Sequence, residues 1–177
     1  MSARDIRRAA ERGHIQTNWL EGYCSFSFGS YQRVDRRHFG ALRMLNEDWI
    51  ASASGFAMHP HENLEILLIP LQSVTAHKDS LGNRMNVCLD ELLVMHAGRG
   101  ICHSQMNASD TEPDHHLRLC FCPSYVAMSP QWRLYALIQS CVGTDGSYGP
   151  AAIVSLGCPQ STSRREYFVR RCSPIVY

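Results

Sequence analysis

The stretch GFAMHPHENLE (Gly55–Glu65) sets His59 and His61 on either side of Pro60 in an otherwise apolar segment. In an extended strand, side chains at i and i+2 point to the same face, so both imidazoles would project together. Pro60 lacks a backbone N–H, which suits an edge or a bulge rather than a central ladder position. Such a pair is half of a transition-metal site, because imidazole suits iron, copper, nickel and zinc. Two polar side chains facing solvent beside a proline turn are the alternative, and the pair alone is compatible with either. The balance shifts with GRGICHSQMN (98–107), where His103 and Gln105 again stand at i and i+2 after the turn residues Gly98 and Gly100. Two such pairs on facing strands would converge four side chains: His59, His61, His103 and Gln105.

Outward from these segments the pattern is that of β-structure. The runs 40–50, 66–80, 91–98 and 115–122 are short and apolar, and they are broken by turn chemistry. Turns are expected at NED (46–48) and at SLGN (80–83), and Pro123 should end the strand before it. Only RDIRRAAER (4–12) and SPQWRLYALIQS (129–140) have helical character, the second with Ser129 as cap and Pro130 in the first turn. Many short strands without βαβ alternation predict an antiparallel sandwich or barrel. From about Thr144 the sequence turns Gly-, Pro- and Ser-rich and loses periodicity, which predicts a barrel domain over 1–143 and an irregular tail over 144–177.

Composition bounds the function. The chain has 177 residues, enough for one well-packed domain, and its formal charge of +1 gives no global field to recruit nucleic acid. Neither a membrane-length apolar run nor the apolar core of a secretory signal is present. Arg4, Arg7, Arg8 and Arg12 mimic a transit peptide, but Asp5 and Glu11 argue against one, and a cytoplasmic, reducing compartment is expected. Eight cysteines without CxxC pairs are expected as free thiols, with Cys88 and Cys120 as small buried hydrophobes. Cys120 and Cys122 with His115 and His116 match no standard zinc spacing and are read as one face of a core strand. His77 and His96 are expected at the surface or behind a ligand. Glu65 is either an acceptor for a ligand imidazole or an exposed strand residue.

The two histidine segments resemble the two-part signature of the cupin barrels: His59-Pro60-His61 followed by Glu65, then His103 with Asn107. Block after block, 11–32, 39–48, 55–67, 77–83 and 96–104 are similar to the pirin family, over roughly residues 6 to 135. That resemblance implies an all-β, single cupin (jelly-roll) barrel with short helical segments. It also implies one divalent transition metal, iron first, with nickel, copper, manganese or zinc as alternatives. The histidine ligands carry over to His59, His61 and His103; the family's glutamate falls on Gln105, a neutral and poorer donor. Gln72-Ser73 stands where the family has a glycine in a hairpin, and the second barrel usual in the family is expected to be absent. Trp19, Phe26, Phe28 and Tyr31 are expected to pack the barrel rather than stack a substrate, and the alternative that the family's arrangement implies puts Phe26 or Phe28 at the pocket entrance.

The functions so implied fall into separate classes. One is a quercetin 2,3-dioxygenase-type enzyme opening a flavonol ring with dioxygen, weakened by the missing carboxylate base. The second is a metal-dependent interaction protein with a protein partner, whose bare flank makes a homodimer. A degenerate truncated copy is the third.

Overall fold

The computed structural model describes residues 7–124, 128–138 and 152–156. Its strands are β1 (Gly13–Gln16), β2 (Leu20–Cys24), β3 (Leu42–Ile50), β4 (Gly55–His61), β5 (Glu65–Gln72), β6 (Thr75–Asp79), β7 (Arg84–Val87), β8 (Glu91–His96), β9 (Ile101–Asn107), β10 (Asp114–Phe121), β11 (Gln131–Ile138) and β12 (Ala152–Leu156). An eight-stranded sheet runs β1-β2-β3-β10-β5-β8-β11-β12, and a four-stranded sheet runs β4-β9-β6-β7. Ladders within both sheets are antiparallel. This is the expected all-β jelly-roll arrangement, with the histidine strands β4 and β9 paired in the smaller sheet.

Alternation along the strands builds the interior. Ile66 and Leu68 of β5 and Leu93 and Met95 of β8 point inward and are buried. One apolar cluster joins Met44, Ile66, Met95, Ala97, Ile101 and Cys120, and a second joins Leu68, Val87, Leu93 and Leu134. Between the sheets runs a seam of buried polar groups. Thr75 donates to Asp114 at 2.8 Å, the Nδ1–H of His116 donates to the same carboxylate at 3.1 Å, and Arg118 Nη2 pairs with Asp48 Oδ2 at 3.1 Å.

The residues around NED (46–48) form no turn. They lie inside β3, with Asn46 and Asp48 wholly buried and only Glu47 directed outward. Pairing of β3 with β2 on one side and β10 on the other overrides the local turn preference, because Asp48 finds Arg118 inside the barrel. SLGN does turn between β6 and β7. Gly82 takes the left-handed conformation, and Asp79 accepts from the backbone N–H groups of Leu81 and Asn83.

Neither expected helix forms among the described residues. The second segment is strand β11 over 131–138, paired with β8 from Gln131↔His96 to Ala136↔Glu91. Its apolar positions Trp132, Leu134 and Ala136 also fit a period of two, and all three pack on the core, which decides for the strand. The first reduces to one 3-10 turn at Ala9–Glu11. Two of its arginines are structural ties: Arg7 donates to Tyr31 Oη at 2.7 Å, and Arg12 pairs with Glu47 at 2.8 Å. Within the expected irregular tail, residues 152–156 form β12 against β11; the rest of 144–177 lies outside the described residues. No helix among the described residues is long and apolar enough to cross a membrane.

Ser73, in the connection between β5 and β6, has φ +66°, a conformation that suits glycine and costs other L-residues roughly 1–2 kcal/mol. Ser73→Gly should therefore raise the urea midpoint by the equivalent of about 1 kcal/mol, less the extra chain entropy of glycine. Ser73→Ala should not stabilise, and an equal gain from alanine would show that strain at this residue is not the cause.

Candidate metal centre

β4 is the edge strand of the small sheet, where Pro60 removes no ladder hydrogen bond that a neighbour needs. Opposite it on β9, the register runs from Gly55↔Met106 and Phe56↔Gln105 to His59↔His103. Three steps on β4 thus match two on β9, so one extra residue bulges out between Phe56 and His59. The bulge brings the His59 and His103 rings to 4.6 Å between centroids, with His61 at 4.7 Å from His59 and 4.9 Å from His103. One ring nitrogen of each of the three lies within 4.8 Å of the others, close enough to share an ion. The close approach depends on Gly55, since a Cβ there would sit 2.3 Å from the Gln105 carbonyl oxygen.

The histidines arrive in the form that ligation needs. His59 Nδ1 lies 2.7 Å from the Ala57 carbonyl, which can only accept, so Nδ1 donates there and Nε2 is the nitrogen left for ligation. Burial lowers the pKa of His61 to about 4, with the neighbouring His59 and Arg118 charges adding to the effect. Burial also lowers that of His103, to about 2. Both rings are therefore neutral at pH 7. His103 is fully buried, and neither of its ring nitrogens has a hydrogen-bond partner among the described residues. The oxygen and nitrogen of Gln105, buried two residues further along the same face of β9, are unpartnered as well. Buried polar atoms left so are rare in folded proteins, and a cation here would engage one ring nitrogen of His103 and the Gln105 amide oxygen. The donor set fits a transition ion.

A cavity of about 280 Å3 opens in front of the triad. Phe28, Phe56, Met44, Leu64, Ile66 and Cys120 give it an apolar wall, and Arg43 and Arg118 supply its charge. Phe28 thus lines the cavity, as the family's arrangement implies, while Phe26 lines a separate cleft with Arg7 and Arg12. Trp19 packs edge-on against Phe56 at 5.1 Å.

The remaining sequence candidates separate cleanly. Asn107 ties the sheet ends together: its side-chain amide donates to the carbonyls of Ile50, Ala51 and Glu112. Glu65 pairs with His96 at 3.4 Å, away from the triad. His77 is no surface residue; it is buried behind the site, 5.4 Å from the His103 ring and opposite Gln105 on β6. His116 and Cys120 point inward while His115 stacks on Trp49 at 4.0 Å outside and Cys122 is exposed, so these four converge on no ion. Burial pushes the Cys120 and Cys24 thiols up to about 11, which leaves them unreactive. Arg118 and Phe56 were missed from sequence. The inward run His116, Arg118, Cys120 carried the signal, a charged side chain on the buried parity of a strand.

The sequence profile of the pirin family matches residues 5–120. The chain belongs to the pirin family. It is 39% identical over 127 residues to the quercetin 2,3-dioxygenase of Escherichia coli strain K12, which covers 72% of this chain and 55% of that one. A crystal structure of the bacterial pirin YhhW from Escherichia coli in complex with nickel(II) superposes with a TM-score of 0.73 at 36% identity, over 76% of this chain and 58% of that one. A structure from Geobacillus kaustophilus shares the fold at 19% identity and a TM-score of 0.60, over 85% of this chain and 64% of that one. This pirin spans about half the length of the curated relatives it matches.

The depressed histidine pKa values carry a sign for stability. Each ring is neutral when folded but titrates near 6.5 when unfolded, so the unfolded chain takes up protons first as pH falls. Stability is fully present above 6.5 and is lost on acidification through about 4 for His61 and on toward about 2 for His103. In chelator-treated protein the urea midpoint should decline from pH 6.5 to 4, and His103→Gln should flatten that slope. Identical slopes in the two proteins would contradict the assignment.

Proposed function

We propose that this pirin binds one divalent transition metal, iron first, on His59, His61 and His103, with the Gln105 amide oxygen as the fourth donor. The observation that carries the reading is the meeting of three imidazoles, with one ring nitrogen of each within 4.8 Å of the others, on the wall of a cavity. Nickel, copper and zinc suit imidazole ligands as iron does, and manganese is the remaining alternative. The cavity takes a flavonol-like small molecule, and the reaction is weak quercetin 2,3-dioxygenase-type ring opening with dioxygen. The relative named for that activity supports the direction, as does the apolar and aromatic wall.

The bound metal would supply Lewis acidity and open positions for the substrate oxygen and for dioxygen. This chain's residues do the rest. Phe56 and Phe28, both carrying the Arg118 guanidinium over their rings, border the space for a planar ring system, and the apolar wall excludes water from it. His59, fixed by the Ala57 carbonyl, presents Nε2 without rotating. Gln105 cannot take the flavonol proton, because a carboxamide is no base at neutral pH. The proton must leave to solvent or be lost before binding.

Gln105 also favours a second reading, a metal-dependent interaction protein in which the ion organises a surface for a protein partner or a second copy. Under that reading a cytoplasmic pirin barrel over 1–143 acts without turnover, and no second barrel is required.

Oxygen uptake with quercetin, measured for wild type and Gln105→Glu, separates the two. The enzyme reading predicts turnover raised by roughly 10²–10⁴-fold in the variant, the usual worth of a general base. Background turnover in a metal-loaded Gln105→Glu protein would reject it and leave the interaction reading.

A further inference from the structure

The charge of the cavity is one-sided. Arg43 and Arg118 line it, and no carboxylate does among the described residues. Arg43 is committed elsewhere, donating to the carbonyls of Ser27 and Arg37 at 3.2 and 2.7 Å. Arg118 is less fully used. Its side chain is buried, its guanidinium carbon lies 4.0 Å from the Phe56 ring centroid and 5.3 Å from that of Phe28, and Nη2 faces Asp48 at 3.1 Å. Its Nε–H has no acceptor among the described residues. A donor left unmade in so dry a place is costly, and a cation there is worth far more to a bound anion than it would be in water.

We propose that Arg118 makes this cavity a site for a planar aromatic anion, donating to the ligand's ionised oxygen while Phe56 and Phe28 stack against its ring system. The inference deepens the flavonol reading above and rests on the same cavity. It says which form of the ligand is taken: the ionised one, stabilised by a fixed cation in a pocket whose Gln105 cannot remove a proton. The groups facing the guanidinium are consistent with this. From β3 come Asp48, which balances part of its charge, and Arg43, which adds to it; His116 lies beside Asp48 on β10 at 3.8 Å. From β4 and β9 come His59, His61 and His103, and no carboxylate from either strand lines the cavity. A ligand anion therefore meets positive charge and no fixed negative charge on the lining.

The test uses 3-hydroxyflavone, whose neutral and ionised forms absorb at different wavelengths, and its 3-methoxy ether, which cannot ionise. Binding is measured at pH 7.5 to the full chain after chelator treatment, so that no metal can ionise the ligand. Wild type should bind the hydroxyl compound at least tenfold more tightly than the ether and show the spectrum of the ionised form. Arg118→Gln should lose both the preference and the spectrum, and Arg118→Lys should keep a substantial part of each. Because Arg118→Gln strands Asp48, the double variant Asp48→Asn/Arg118→Gln is measured beside it, with folding checked by circular dichroism. A neutral spectrum in wild type, binding of neither compound, or an anion preference that survives in the folded double variant would overturn the proposal. A parallel titration with zinc distinguishes it from the metal reading. If zinc fails to bind, the histidine assignment falls while the Arg118 result stands or falls on the chelated samples.

Discussion

Pairing of β4 with β9 sets His59 opposite His103, and it does so because β4 carries one extra residue between Phe56 and His59. Continued without the bulge, the ladder from Phe56↔Gln105 would bring Met58 opposite His103 and His59 opposite Cys102. A one-residue slip sends side chains to the other face of a sheet, and both β4 histidines would leave the cavity. The bulge lets Phe56, His59 and His61 all line the same space, which strict alternation forbids. Gly55 permits the close approach at the start of this pairing, and Pro60 is tolerated because β4 is an edge. Site geometry and sheet geometry are one constraint here.

Around that constraint the interior is polar to a degree that its apolar clusters do not suggest. Thr75, Asp114, His116, Asp48 and Arg118 form a chain of contacts leading from the far side of the barrel to the cavity wall. Removing one member of a buried ion pair typically costs about 3–5 kcal/mol, because the survivor stays uncompensated. Asp48 and Arg118 therefore hold each other, and Arg118 in turn holds the cavity positive. His103 and His61 stay neutral in that field, the state in which a metal finds a lone pair. Gln105 brings no negative charge to the site, so a divalent ion held on the three histidines would draw its neutralising charge from an exogenous anion.

Much of this was legible in the chain. The i, i+2 spacing of His59 with His61, and His103 on a second segment, pointed to the three histidines that the structure brings together, and the short apolar runs over 40–50, 66–80 and 91–98 pointed to the β-class. What escaped has physical causes. A bulge leaves no mark in the residue types around it, so parity on β4 could be inferred only from the partner strand. NED (46–48) has turn chemistry, but Asp48 pairs inside the barrel with an arginine seventy positions later. WRLYA (132–136) allows both a helical and a strand period, and only β8 decides between them. Arg118 stands between His116 and Cys120 on the buried parity of β10, and residue type alone does not say that an arginine takes the inward face.

The most direct measurement is the metal content of the purified chain after iron(II) loading and desalting, by elemental analysis, for wild type and His59→Ala. A triad set by the β4–β9 register predicts about one metal per chain in wild type and loss of it in the variant. Wild-type content far below one, or equal content in both proteins, would contradict the assignment of His59, His61 and His103 as ligands.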